Sequence, residues 1–296
     1  MNQLPQSLKH AIRYGALLAS FALPQLAVAQ DAPAAPAVAA PAAPAATVSP
    51  DSTDPKAIMK AVEGRIQADK TKARTVLQIT DGSGRKRERV VRSWGMDFDG
   101  GQRQLMIFES PADVRNTGLL SVDYEDGNKD DDQWLYLPSL KKSTRISSGD
   151  KSGSFMGTDL SYADMTRADP SHYEYVILKQ SVSVGGEDCW LIGAKPVTQR
   201  AKDETGYVKT QVWISKSKLV TLQVKAWVRE GRKLKYIKFE GFKQLDGRWT
   251  AHKISARTVR GKKVESTTVI QFTEMTSGNA DVSAELFTQR RLEQGL

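Results

Sequence analysis

The 296-residue chain predicts a mainly β (α+β) fold, a strongly curved antiparallel sheet or barrel of about 11 strands with a helix at each end. Three observations carry it. From about residue 75 onward, apolar residues recur at period two rather than at helical spacing. Gly-containing turns such as Glu230-Gly231, Asp246-Gly247 and Arg260-Gly261 punctuate these runs, as hairpins require. The runs are long, roughly ten residues, which suits a curved sheet better than a flat one.

The chain opens with export features. Lys9 and Arg13 precede a short apolar core over 16–23, and Ala27-Val28-Ala29 is a small-residue cleavage pattern. Residues 1–29 therefore read as a signal peptide, too short in its apolar run to span a bilayer as a permanent helix. No Cys stands at the cleavage point, so a free, not lipid-anchored, periplasmic protein is expected. Residues 30–53 are an Ala/Pro-rich linker, in which repeated Pro forbids a helix. Residues 54–296 remain as one domain.

That domain starts with a helix. Asp54 is a suitable N-cap and Pro55 a suitable first residue, and Ile58, Met59, Val62 and Ile66 form one apolar stripe through about residue 69. A helix of this length must lie on something apolar. Strands follow over 75–80 and 85–98, joined by Asp81-Gly82-Ser83-Gly84, then over 104–109, 118–124, 133–137 and 142–146. A Gly/Ser-rich loop comes next, and then strands over 173–181 and 189–196. The last five runs, 208–215, 219–229, 233–242, 248–259 and 264–272, are separated by tight turns and predict an antiparallel meander. A short helix over 283–292 closes the chain.

Composition narrows the chemistry. The formal charge of +9 becomes +7 without Lys9 and Arg13, and residues 200–263 hold 18 Lys and Arg against 5 Asp and Glu. Export argues against nucleic acid as a partner. Lys225, Arg229, Lys233, Lys235 and Lys238 are the candidate basic surface for lipid headgroups, transient membrane contact or an acidic partner. A solvent-facing row of strand residues explains the same charges. The single Cys189, beside Trp190 in an apolar run, reads as a buried small hydrophobe.

No catalytic constellation emerges. The His residues 10, 172 and 252 are scattered, the acidic run at 126–132 lacks the spacing of a calcium loop, and the Ser residues near Gly153 form no nucleophile elbow. No enzyme, metal or cofactor is expected.

What remains is apolar binding. Trp94, Phe98, Trp134, Tyr136, Phe155, Met156, Tyr162, Trp213 and Trp227 exceed what a polar meander needs, although core packing accounts for aromatic residues on strands equally well. Phe155-Met156 differ, because they sit between Ser154 and Gly157 in a loop that should be wet. With the stripe Ile58, Val62 and Ile66, they are the candidate lid or plug of an apolar cavity.

The run DDDQWLYLPSLKK…RIS…GDKSGSFMGTDLSYADM resembles the hallmark of the outer-membrane lipoprotein-sorting family of the LolA/LolB-like group. FESPADVRNTGLLSVDY and GYVKTQVWISK fit the same resemblance, which covers about residues 55–292. It implies an unclosed antiparallel barrel with a lid over an apolar cavity. It also implies a periplasmic carrier that moves acyl chains of a lipid or lipoprotein toward the outer membrane. Members of this branch are often associated with RND/MMPL-type transporters, which gives the alternatives: an accessory subunit docked on such a transporter, or an envelope-stress lipid sensor. In the lipoprotein chaperone an Arg before a Pro in an early strand holds the lid. Here Ser110 precedes Pro111, so that position supplies no lock.

Overall fold

The computed structural model describes residues 48–65 and 68–296. The expected signal peptide, residues 30–47 of the expected linker and Ile66 lie outside the described residues.

Helix α1 (Pro55–Glu63) begins as its sequence dictates: the Asp54 carboxylate accepts from the amides of Lys56 at 2.9 Å and Ala57 at 3.1 Å. It stops at Gly64, earlier than the expected residue 69. Nine residues cannot hold a helix in water, and α1 is held by burying Ile58 and Met59 against Trp190, Ile192, Val212 and Ile214, with Val62 beside them.

The strands are β1 (Thr71–Asp81), β2 (Lys86–Phe98), β3 (Gly101–Ser110), β4 (Gly118–Tyr124), β5 (Asp132–Leu137), β6 (Lys142–Arg145), β7 (Tyr173–Val184) and β8 (Glu187–Pro196). After helix α2 (Gln199–Thr205) come β9 (Tyr207–Ser215), β10 (Val220–Val228), β11 (Lys233–Glu240), β12 (Lys243–Leu245), β13 (Arg248–Thr250), β14 (Lys253–Arg260) and β15 (Lys263–Thr276). Helix α3 (Gln289–Gln294) is last. Thirteen strands form one antiparallel sheet in the order β6-β5-β4-β3-β2-β1-β15-β14-β11-β10-β9-β8-β7. The sheet does not close: β6 and β7 are its edges. The figure of about 11 undercounts the runs: each of the thirteen read from the sequence contributes one strand to this sheet, and β12 and β13 pair apart from it. The meander is present as β9-β10-β11-β14-β15, with one difference. The run at 248–259 breaks into β13 and β14, because Asp246 and Gly247 both adopt positive φ and fold β12 and β13 into a separate hairpin.

Period-two alternation gives the sheet two apolar faces. On the inner face Leu77, Val91, Phe108, Leu119, Ile237, Ala256 and Ile270 belong to one cluster. Leu119 on β4 and Ile237 on β11 are six strands apart, about 29 Å along a flat sheet at ~4.8 Å per strand, so the sheet curls around that cluster. On the outer face Leu105, Ile107 and Leu120 are covered by Val282, Phe287 and Leu292 of the C-terminal segment. Cys189 is fully buried in a smaller cluster with Val220 and Leu222.

Candidate functional site

The segment between β6 and β7 fills the inner face. It runs through short helical turns at Ser148–Asp150, Phe155–Gly157, Ala163–Met165 and Pro170–His172. Its tip closes on itself: the Phe155 amide donates to the Leu160 carbonyl at 2.8 Å, and the Thr158 amide and hydroxyl both donate to the Phe155 carbonyl. With its backbone polar groups paired locally, the tip can enter an apolar region at little desolvation cost. Phe155 does so, 2 % exposed, with its ring 6.0 Å from Phe108 and 5.7 Å from Tyr162. Leu160 is buried in the same cluster, and Met156 and Tyr162 pack against its edge.

Four polar fastenings hold this plug. Asp159 is buried, and its carboxylate accepts from the hydroxyls of Thr258, Ser266 and Thr268 on β14 and β15. Thr268 also accepts from the Asp159 amide at 2.9 Å. Asp164 pairs with Lys235 of β11 at 2.8 Å and accepts from the Tyr207 hydroxyl at 2.7 Å. Burial pushes the Asp164 carboxyl up, but the Lys235 ammonium and these hydrogen bonds outweigh it and leave it below its usual range. The same burial, with Asp164 alongside, raises the Tyr207 phenol. Lys151, 2 % exposed, binds Glu204 at 2.9 Å and the Asp131 carbonyl at 3.0 Å. Arg89 of β2, buried beside the Phe108 ring, donates to the Met156 carbonyl.

A cavity of about 430 Å³ lies beside the end of the plug and is rich in charged groups. Glu63, Asp97, Asp123, Asp131, Lys151 and Arg167 line it. Desolvation lifts the Glu63 carboxyl to about 7 and that of Asp131 to about 6. Arg167 is tied to Asp123 by its amide at 2.7 Å and its guanidinium at 3.3 Å.

These positions sort the residues expected from the sequence. Ile58 and Val62 lie on β8–β10, and Phe155, Met156 and Tyr162 lie on the inner face. Trp94, Trp134 and Tyr136 do not line that face. Their register, Trp94 opposite Leu105 and Leu120 opposite Trp134, puts them outside, packed against the cluster that the C-terminal segment covers. Trp213 pairs with Leu191 and Gln223, and Trp227 is flanked by Lys209 and Lys225, also away from the plug. Phe98 lines the charge-rich cavity, edge-on to Tyr124. Among the basic residues, Lys235 is no surface group. It shares its side of β11 with Ile237 and Phe239, which point inward. Arg229 meets Asp203 at 3.4 Å, and Lys233 meets Glu265 at 3.2 Å. Lys225 and Lys238 stay on the outer side of their strands.

The fastening residues Arg89, Asp159 and Asp164 escaped the sequence reading. Their partners are 43 to 109 residues away in the chain, so no local spacing announces them. A faint signal exists: two carboxylates flank the apolar residues of a Gly/Ser-rich loop.

A model of an uncharacterized-protein family matches residues 100–294. Among solved structures, an outer membrane lipoprotein-sorting protein domain from Vibrio parahaemolyticus is 28 % identical, with 80 % of this chain and 97 % of that chain covered at a TM-score of 0.71. A DUF1329 family protein from Desulfovibrio piger is 27 % identical, with 81 % and 100 % covered, also at 0.71. This chain belongs to the LolA-like family. A LolA superfamily protein from Nitrosomonas europaea shares the fold at 17 % identity and a TM-score of 0.57, with 79 % of this chain and 97 % of that chain covered. No curated protein matches the sequence. The LolA-like sheet with its occupied inner face is the setting in which Phe155 and its fastenings have to be understood.

Proposed function

We propose that this protein is a periplasmic, non-enzymatic carrier that takes acyl chains of a lipid or lipidated protein onto the inner face of its sheet and moves them toward the outer membrane. One observation carries the reading: a continuous apolar face from β4 to β11 is filled by a loop, not by a core helix or strand, and that loop is fastened by polar contacts. Such fastenings exchange readily with water, whereas the face beneath them does not. The 28 % identical Vibrio domain, described as lipoprotein-sorting, supports the same class of cargo.

Energetics favour a displaced plug over an empty cavity. Each buried methylene gains about 0.8 kcal/mol, so two or three long chains would gain on the order of 25 to 40 kcal/mol. That exceeds the practical ceiling on affinity, about 20 kcal/mol, and cargo held so tightly would not leave. Expelling Phe155, Leu160 and Met156 into water offsets part of the gain. Arg89, donating to the Met156 carbonyl, fills the role that the Ser110-Pro111 position lacks.

Mass spectrometry of the gently extracted protein tests the proposal. Copurified acyl lipid or lipoprotein is expected, and Phe155→Asp with Met156→Asp should change its amount. A chain that is reproducibly free of lipid and fails to take it up when the plug is loosened would exclude carriage and favour an accessory subunit docked on an RND/MMPL-type transporter.

A further inference from the structure

The outer face of β9, β10, β11 and β14 carries cations that no carboxylate neutralises. Lys225 stands opposite Tyr236, Tyr236 opposite Arg257, and in the adjoining rows Lys209 stands opposite Trp227 and Lys238 opposite Gln223. Ion pairs do form nearby, Arg229–Asp203, Lys233–Glu265, Lys253–Glu240 and Arg260–Glu265, but at the strand ends. Among the described residues they leave Lys209, Lys225, Lys238 and Arg257 without an acidic partner. Aromatic faces hold three of these cations, Lys209, Lys225 and Arg257, instead. The ammonium groups of Lys209 and Lys225 lie 4.8 Å and 4.5 Å from the Trp227 ring centre, and Lys225 and Arg257 lie 5.7 Å and 4.8 Å from that of Tyr236. Stacking positions a cation without cancelling its charge.

The row continues across the sheet. Arg257 is opposite Thr267, Thr267 opposite Thr80, and Thr80 opposite Lys86, so the row runs across six strands from β10 to β2 and carries cations at Lys225, Arg257 and Lys86. The helices pack elsewhere: α1 on the inner face, α3 against β4–β6, and α2 against the turns of the plug segment.

We propose that this outer face docks the protein on an anionic phospholipid bilayer. A broad sheet surface in which Trp and Tyr are interleaved with unpaired Lys and Arg matches the chemistry of a membrane–water interface, where amphipathic rings sit at headgroup level and cations meet phosphate. A narrow acidic peptide would meet only a strip of it. The proposal adds a place of loading or delivery to the carrier reading and rests on that reading only for its purpose. The plug faces the other side of the sheet, so docking leaves it free to open.

Vesicle flotation of the purified exported protein tests this. Binding to vesicles of phosphatidylethanolamine with phosphatidylglycerol is expected, falling steeply with salt, with little binding to phosphatidylcholine alone. Lys209→Glu, Lys225→Glu, Lys238→Glu and Arg257→Glu together should weaken partitioning at least about a hundredfold, given roughly fivefold per cation. Trp227→Ala should weaken it severalfold. Thermal melting and copurified lipid of each variant should match the parent, and the double variant Lys238→Glu, Arg257→Glu, confined to exposed positions, serves if the fourfold change disturbs folding. Equal binding to both vesicle types, or unchanged binding by the variants, would overturn the proposal. So would loss of binding to an acidic protein with vesicle binding intact. A protein that docks on anionic vesicles but never carries lipid would sink the carrier reading and leave this one standing.

Discussion

The ammonium of Lys235 on β11 lies 2.8 Å from the Asp164 carboxylate, joining the sheet to the segment that fills it, with the Tyr207 hydroxyl 2.8 Å from the same ammonium. Both side chains are about nine-tenths buried. Removing one partner of such a pair strands the other charge, which costs about 3 kcal/mol or more. Lys235→Ala should therefore lose on the order of 3 kcal/mol in urea unfolding at neutral pH. Lys235→Met with Asp164→Leu should recover most of it, because neither charge is then left unpaired. Equal losses in the single and double variants would show that the pair does not hold the plug.

Arg89 makes a different fastening, to a backbone carbonyl. A hydrogen bond from a charged donor contributes about 1.5 to 3 kcal/mol. Arg89→Leu keeps the contact with Phe108 but drops the donor. Amide exchange at residues 155–162 should quicken by on the order of tenfold or more, since 1.4 kcal/mol is one decade. Exchange in β14 and β15 should not change. Uniform acceleration throughout the sheet would mean that Arg89 stabilises the whole fold and not the plug.

Phe155→Ala removes the ring that meets Phe108 and Tyr162. A buried Phe truncated in a rigid core costs about 3 to 5 kcal/mol. A plug that can detach caps that loss, because the tip leaves before the cavity cost is fully incurred. The expected result is a loss below about 3 kcal/mol together with new binding of an apolar dye. A full core-sized loss with no dye binding would make Phe155 an ordinary core residue.

The charge-rich cavity predicts an unusual pH dependence. The folded-state carboxyl of Glu63 is raised from 4.5 to about 7, and that of Asp131 from 3.8 to about 6. The folded protein therefore binds more protons than the unfolded chain between about pH 4 and 7, and stability falls as pH rises through that window. Asp164 acts oppositely: its lowered carboxyl contributes stability above its ordinary value of 3.8 that is lost as pH falls below it. Glu63→Gln should flatten the decline between pH 5 and 7.5 in urea midpoints and leave the acid limb unchanged. A decline unaltered by Glu63→Gln and Asp131→Asn would place its origin elsewhere.

Much of this was legible in the sequence, and the failures have physical causes. Asp54-Pro55 set the start of α1, and turn chemistry located the meander, because both are local. Phe155 stood out because Gly and Ser neighbours rule out a regular element around it. The aromatic residues misled. Period two says that Trp134 and Leu135 point to opposite faces, but not which face the irregularly spaced Val282, Phe287 and Leu292 will cover. Lys235 was legible in principle, since it shares its side of β11 with Ile237 and Phe239. A lysine in such a row is buried only with a partner, and that partner lies 71 residues earlier.

The outer cluster separates structural aromatics from functional ones. Leu292 of α3 is fully buried, in the same cluster as Leu105, Ile107 and Leu120 and with Trp94 and Trp134 at its edge. Leu292→Ala should cost about 2 to 5 kcal/mol in unfolding free energy, as for other buried leucines. Trp134→Ala should be destabilising through the same cluster. Neither change touches the inner face, so lipid loading per folded molecule should equal that of the parent, whereas Arg89→Leu and Phe155→Ala should alter it at smaller cost in stability. The decisive measurement is copurified lipid normalised to folded protein across these four variants. Loss of lipid in Trp134→Ala at preserved folding would return that tryptophan to the binding site and require chains to enter between the outer face and the C-terminal segment.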